Sequence, residues 1–168
     1  SSITNTDEPS NCVIDGDVVV NGTIVETNII TIVGVINVTG NVVVTSDSTV
    51  KISPGSVLHV GKCLLLEEDS EIVIVVEGGM SGNEEQLVAT YDGNCSSSEL
   101  LKRVRVETTS SFDECRDGEP TLSESMNENG RSQLSLSLVP SSGCNDEKNS
   151  EINIVAIAVA VPIAVLVV

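Results

Sequence analysis

The stretch GDVVVN GTIVET NIITIV GVINVT GNVVVT, residues 16–45, repeats with a period of six residues. Each unit opens on Gly, or once on Asn, and its third residue is always Val or Ile. Two apolar residues separated by one position point to the same face of a strand, and a preceding Gly or Asn supplies the positive φ of a corner. Short strands joined by such corners predict a β-solenoid, in which successive coils share one core.

The pattern of paired apolar residues continues to Val76 with looser spacing. Nine inward-facing pairs are predicted, and they begin at Val18, Ile24, Ile30, Ile36, Val42, Val50, Leu58, Leu64 and Ile72. Three strands per coil give about three coils, a common minimum for stable stacking. Strict hexads would suit a left-handed solenoid, whereas the 22 residues from Val42 to Leu64 favour a wider, right-handed, three-sided β-helix.

The rest of the all-β chain is predicted to frame this solenoid. A polar N-terminal arm at 1–11 leads into the solenoid at 12–76, and residues 77–140 form a small β cap with an acidic loop. A cap is expected because the ends of a solenoid expose unpaired strand edges. Residues 110–132 are predicted as loop. Strands of the cap are predicted at 87–90, 100–107 and 133–139.

An apolar segment follows a polar spacer at 141–151. This segment begins at Ile152 and ends at Val168, and its 17 residues would span roughly 25 Å as a helix, slightly less than a bilayer core of about 30 Å. We expect it to contact a membrane, either as a transmembrane span or as the tail of a GPI-anchor signal. A buried core segment is the alternative. A chain that starts at Ser1 also predicts removal of a signal peptide or excision from a longer protein.

The charge of the chain is strongly acidic. The sequence holds 25 Asp and Glu against 8 Lys and Arg, a net charge of −17, which argues against a nucleic-acid partner because phosphates require clustered cations. We interpret this acidity mainly as a source of solubility, and calcium binding is the alternative explanation. The weak calcium candidates lie together in one turn and are Glu67, Glu68, Asp69 and Glu71. Adjacent residues of a turn do not converge as an acid and base pair must, so no catalytic site is predicted there.

Other reactive residues are few. The only histidine, His59, lies between two inward-facing residues and is expected to face solvent rather than serve a nucleophile. Lys102, Arg103 and Arg105 form the only basic cluster, with Arg103 and Arg105 expected together on an outer face. This basic cluster has two interpretations. It could form ion pairs with the acidic loop, or it could dock an acidic glycan or a neighbouring subunit. No phosphate-binding glycine motif is present, so no cofactor is predicted.

Five cysteines without CxxC spacing favour disulfides in an oxidising compartment over zinc or redox chemistry. Sequence alone leaves the connectivity open. The tentative pairs are Cys12–Cys63 and Cys95–Cys115, with Cys144 unpaired or bonded to another chain.

Three sequons add to the extracellular interpretation. They place candidate glycans at Asn21, Asn37 and Asn94. In the hexad register Asn21 lies at a corner and Asn37 faces solvent, so a glycan at either position stays out of the core.

The runs GKCLLL, YDGNC and SSGC, followed by the apolar tail, carry a family resemblance. They resemble short β-helix ectodomains of membrane-anchored surface proteins of amoebae and other protists, some of which carry a cytoplasmic kinase. The Gly-x-Val-x-Val coils also resemble passenger-type β-helices of bacterial surface proteins. The coils, sequons, cysteines and apolar tail together predict a non-catalytic ectodomain on the outer face of the plasma membrane, or in a secreted surface structure, with an adhesion, coat or receptor role. Its partners would be the membrane, glycans or copies of itself. A subunit of an extracellular filament and, less favoured, a glycan-active enzyme are the alternatives.

Overall fold

The computed structural model describes residues 2–3, 11–20, 29–80, 85–95 and 99–141. Within them the chain is mainly β, which confirms the all-β prediction. Its strands are β1 Ser2–Ile3, β2 Asn11–Ile14, β3 Val18–Val20, β4 Ile29–Ile32, β5 Val35–Val38, β6 Val42–Val44, β7 Thr49–Ile52, β8 Val57–Val60, β9 Leu64–Leu66, β10 Glu71–Val76, β11 Gln86–Asp92, β12 Val104–Thr108, β13 Glu119–Met126 and β14 Arg131–Val139. Its helical turns are short: Gly93–Cys95 and Leu101–Arg103 are 3₁₀, and α1 is Glu114–Asp117.

The strands form three sheets that the chain enters in rotation. Sheet A has the order β1-β4-β7-β10-β12, sheet B the order β13-β14-β11-β8-β5-β2, and sheet C the order β3-β6-β9. From β1 to β10 the chain visits sheets A, B and C in turn, and neighbouring strands of these sheets are parallel. Antiparallel pairing is confined, in the described part, to the β13–β14 hairpin and its junction with β11.

Register between strands corrects the strict hexad interpretation. Val42 pairs with Leu64, 22 residues along the chain, as the wider repeat predicts. Val18, however, pairs with Val42, whereas three hexads would have placed it beside Ile36. Ile36 instead lies in sheet B, because register follows backbone pairing within a sheet rather than the spacing of glycines. The predicted pair at Ile24 lies outside the described residues.

The core contains the predicted inward-facing residues that the structure describes. Each of the other eight predicted pairs belongs to one aliphatic cluster or packs against it, and Val44, Val60 and Ile72 have no exposed surface. Burying such a side chain contributes about 1.5–3 kcal/mol, so the stacked pairs are the main source of stability. Three residues from 77–140, Ala89, Tyr91 and Leu134, also have no exposed surface in this cluster.

The cap is more regular than predicted. Residues 110–132 are not a loop, because they contain α1 and β13, and β13 pairs with β14 along its whole length. Strand β13 was not predicted because its sequence is polar. It is an edge strand, which is held by backbone hydrogen bonds and in which charged residues and Pro are common. The strand predicted at 100–107 begins only at Val104.

The predicted membrane segment, residues 152–168, lies outside the described residues, as do residues 142–151 and most of the N-terminal arm. Among the described residues no helix is long and apolar enough to cross a membrane.

Candidate functional site

A row of polar side chains crosses the outer face of sheet B. Asn37, His59, Thr90 and Gln133 lie side by side on β5, β8, β11 and β14. Their neighbours along each strand point into the core, so this face looks outward, although Thr90 itself is buried. At about 4.8 Å per strand the row is roughly 15 Å long. It offers amide, imidazole and hydroxyl groups, which can donate and accept hydrogen bonds without carrying a carboxylate.

His59 is the titratable member of this polar row. Its Nδ1 lies 2.9 Å from Thr90 Oγ1. Partial burial and, secondly, the nearby positive charge of Arg131 lower the pKa of the imidazole. His59 is therefore neutral at pH 7 and hydrogen-bonded within the row. The prediction that it faces solvent is correct in direction, but the side chain is only partly exposed.

Removing the charge of Arg131 should raise the pKa of His59. In the wild-type protein we expect the single histidine resonance to titrate below its ordinary value of about 6.5, and to move towards that value in Arg131→Met. Because the folded-state pKa is depressed, His59 contributes stability that is present above about pH 6.5 and lost as the pH falls through the folded pKa. NMR titration measures the pKa of His59 in the wild-type protein and in Arg131→Met. Arg105→Met, on sheet A, is the matched control, and an unchanged titration in Arg131→Met would contradict this account.

The carboxylates of the acidic turn after β9 do not converge on one point. Glu67, Glu68 and Asp69 are exposed, and they point to separate partners or to solvent. Glu67 Oε2 accepts a hydrogen bond from Ser46 N at 3.1 Å, whereas Glu71 Oε1 lies 3.0 Å from the guanidinium of Arg105. No group of three or more potential ligands converges anywhere in the described residues. The weak calcium candidates Glu67, Glu68, Asp69 and Glu71 are therefore not gathered into one group of ligands in the described residues.

An ion-pair network covers the outer face of sheet A. Arg105 lies between Glu71, at 3.0 Å, and Glu107, at 3.6 Å, while Lys51 Nζ lies 3.0 Å from Glu107. Hydrogen bonding to Arg105 lowers the pKa of Glu71, and hydrogen bonding to Lys51 lowers the pKa of Glu107. These pairs are exposed and screened by water, so they contribute little to stability.

The three cations of the predicted basic cluster have separate partners. Lys102 pairs with Glu99 at 2.7 Å in the turn before β12. Arg103 turns away from Arg105, because its guanidinium donates to the backbone carbonyls of Leu66 and Glu67. The expectation that Arg103 and Arg105 share an outer face is therefore wrong, since residue 103 belongs to a 3₁₀ turn and not to the strand.

The cysteines correct both predicted pairs. Cys63 is bonded to Cys95, with their Cα atoms 5.4 Å apart, and this bond ties the corner after β8 to the turn after β11. Cys12 is a free, partly buried thiol on β2 that packs against the core. Cys115 is disulfide-bonded, but not to Cys95. Separation along the chain does not reveal which coil carries a cysteine, which is why spacing misled the assignment. Cys144 lies outside the described residues.

Two of the three sequon asparagines are described. Asn37 is partly exposed on the outer face of sheet B, between Val13 and His59 on the adjacent strands. Asn94 is exposed in the 3₁₀ turn after β11, and its Nδ2 donates to Asp92 Oδ1 at 3.0 Å. Asn21 lies outside the described residues.

A buried carboxylate that the sequence analysis overlooked holds the cap together. Asp117 ends α1, and its side chain accepts hydrogen bonds from Asp113 N at 2.9 Å and Gly79 N at 3.2 Å. The hydrogen bonds from Arg116, then those from the backbone, hold the pKa of Asp117 far below its ordinary range. The contact joins the turn after β10 to α1. The sequence carries only a weak local signal for this contact, which is an Asp at each end of a short turn that is followed by Gly118.

Comparison with protein-family models, with curated proteins and with solved structures finds no match for this chain.

Proposed function

We propose that the chain is a non-catalytic extracellular ectodomain of a membrane-anchored surface protein with an adhesion, coat or receptor role. The observation that carries the proposal is the intramolecular bond between Cys63 and Cys95, because disulfides persist in oxidising compartments and are rare in the cytosol. The exposed side chain of Asn94 and the partly exposed side chain of Asn37 agree with it, since a glycan at either place would not enter the core.

The architecture that we propose for this ectodomain is a right-handed, three-sided β-solenoid of about three coils. The rotation of β1 to β10 through sheets A, B and C supports it, as does the 22-residue register that relates Val42 to Leu64. In such a solenoid the inward-facing pairs pack between the coils, whereas the outward-facing side chains are available to bind a partner. The part of the polar row on sheet B that runs from His59 to Gln133 is the outer face that suits a hydroxyl-rich ligand such as a glycan.

Glycan attachment provides the first test of the extracellular proposal. The full chain, expressed through a eukaryotic secretory pathway, should shift in electrophoretic mobility on treatment with an N-glycosidase. Asn37→Gln and Asn94→Gln should each remove one step of this shift. Asn129→Gln, an exposed asparagine outside any sequon, is the matched control. A chain that enters the secretory pathway without any shift would count against the glycans but not against the disulfide.

The state of the cysteines provides a second, independent readout. Alkylation of the protein in intact cells should leave Cys63 and Cys95 unmodified, while Cys12 remains the thiol that reacts on unfolding. Free Cys63 and Cys95 thiols in the native host would contradict an extracellular location. The proposed membrane contact through residues 152–168 is tested separately, by alkaline extraction of membranes that carry the full chain.

A further inference from the structure

The partner of the disulfide-bonded Cys115 is determined by the states of the other cysteines. The sequence holds five cysteines. Cys12 is a free thiol, and Cys63 and Cys95 are bonded to each other. A bond from Cys115 therefore has one cysteine of this chain left to reach, which is Cys144.

The antiparallel hairpin of β13 and β14 brings the chain segments that carry these two cysteines to the same end of the hairpin. Glu119, the first residue of β13, pairs with Val139, the last residue of β14. Cys115 precedes Glu119 by four residues, and Cys144 follows Val139 by five. Because five residues span up to about 18 Å, the chain beyond Val139 is long enough for Cys144 to reach α1 without any change in the hairpin.

The position of Cys115 at this end of the hairpin is fixed by its neighbours. A Cβ atom on Gly118 would lie 2.8 Å from the carbonyl oxygen of Val139, so the chain that leaves α1 runs against the end of β14. Asp117 accepts a hydrogen bond from Gly79 N at 3.2 Å, which holds α1 on the turn after β10. Cys115 is an exposed residue of α1, so a cysteine from the following chain can bond to it without entering the core.

We propose that Cys115 and Cys144 form the second disulfide of this protein and that it closes the open end of the β13–β14 hairpin. The two thiols give up two protons and two electrons to the disulfide of a protein oxidant in the secretory compartment. One S–S bond forms in this chain, and the S–S bond of the oxidant is cleaved to two thiols. Formation of the bond rests on the oxidising compartment of the proposed function.

Strand β13 depends on such a closure because it packs little against the core. It is the outermost strand of sheet B, and its eight residues all pair with β14, but Leu122 is the one that packs against the aliphatic cluster. A strand held mainly by backbone hydrogen bonds opens locally from its ends. One end of the hairpin is closed by its turn, where Asn127 N donates to Arg131 O at 2.9 Å. The proposed disulfide closes the other end.

The same pairing makes Cys12 the odd cysteine of the chain. It replaces the expectation that Cys144 is unpaired or bonded to another chain. Cys12 is partly buried on β2, where it packs against the core. Because the unpaired thiol lies against the core, we expect no disulfide between copies of this protein.

Peptide mapping of the wild-type chain tests the connectivity. The full chain is secreted from eukaryotic cells, unfolded in the presence of an alkylating reagent and cleaved after Lys and Arg without reduction. Cleavage places Cys115 in the peptide 106–116 and Cys144 in the peptide 132–148. Mass spectrometry should find these two peptides as one linked species that separates on reduction. A 106–116 peptide that is alkylated, or linked to any other peptide, would overturn the proposal.

The remaining cysteines provide the internal reference in the same sample. Cys63 and Cys95 lie together in the peptide 63–102, which should carry their bond and no label, whereas Cys12 should be alkylated. If 63–102 keeps its bond while Cys115 is alkylated, the proposed second disulfide is rejected and the proposed extracellular role is not. If every cysteine is alkylated, both proposals are rejected.

Hydrogen exchange tests whether the bond closes the hairpin. In Cys115→Ser/Cys144→Ser the amides of β13 and of the last residues of β14 should lose protection, whereas those of β4 and β5 should keep it. Cys12→Ser is the matched control and should leave the protection of β13 unchanged. Equal protection of β13 in the double variant and in the wild type would reject the closure.

If the double variant does not fold, selective reduction of the wild-type chain replaces it. The loss of the linked 106–116 and 132–148 species should then coincide with the loss of protection in β13. Reduction of this bond without a change in β13 would equally reject the closure.

Discussion

Removal of the Cys63–Cys95 disulfide is expected to lower the free energy of unfolding by about 3–4 kcal/mol. The bond closes a loop with a sequence separation of 32 residues, and a crosslink of that length restricts the unfolded chain by about this amount. It also ties the corner that leads into β9 to the turn that follows β11, so its loss should loosen β9 and β11 before the strands nearer the N-terminus. Urea unfolding of Cys63→Ser/Cys95→Ser under non-reducing conditions measures the effect.

Cys12→Ser is the matched control for this experiment. Cys12 is a free thiol that is only partly buried, so its replacement by serine should cost about 1 kcal/mol or less. Hydrogen exchange locates the change: amides of β9 and β11 should lose more protection in the double variant than amides of β4 and β5. Equal stabilities for the double variant and the wild type would show that the bond does not constrain the chain in solution.

The second large effect is expected at one of two adjacent leucines. Leu64 is 2% exposed and points into the core, whereas Leu65, the next residue of β9, is 45% exposed on the outer face of sheet C. Leu64→Ala should lower the free energy of unfolding by about 2–5 kcal/mol, because it removes buried methyl groups and leaves a cavity. Leu65→Ala should cost less than about 1 kcal/mol.

The two variants have the same chemistry and the same strand, so the comparison isolates orientation. Chemical unfolding of both proteins provides the measurement, with the slope on denaturant checked for two-state behaviour. A larger loss for Leu65→Ala would mean that β9 is turned over, and with it the register that pairs Leu64 with Val42.

The inward and outward positions of the repeats were predictable from the sequence because the signal is local. Within a strand the side chains alternate, so an apolar pair such as Leu58 and Val60 identifies the buried face and leaves His59 outside without any knowledge of neighbours. The polar strand β13 escaped prediction for the same reason. Its stability comes from backbone bonds to β14, and these leave no period in the side chains.

The β class, the aliphatic pairs and the wider 22-residue repeat after Val42 follow from the sequence alone. The contacts between distant segments follow only from the fold: Val18 lies beside Val42, Cys63 is bonded to Cys95, and Arg131 donates to the carbonyl of Val60. The two kinds of information differ in range. Alternation acts over two residues of one strand, whereas these contacts join positions more than 20 residues apart, and their choice depends on how many residues each corner takes up.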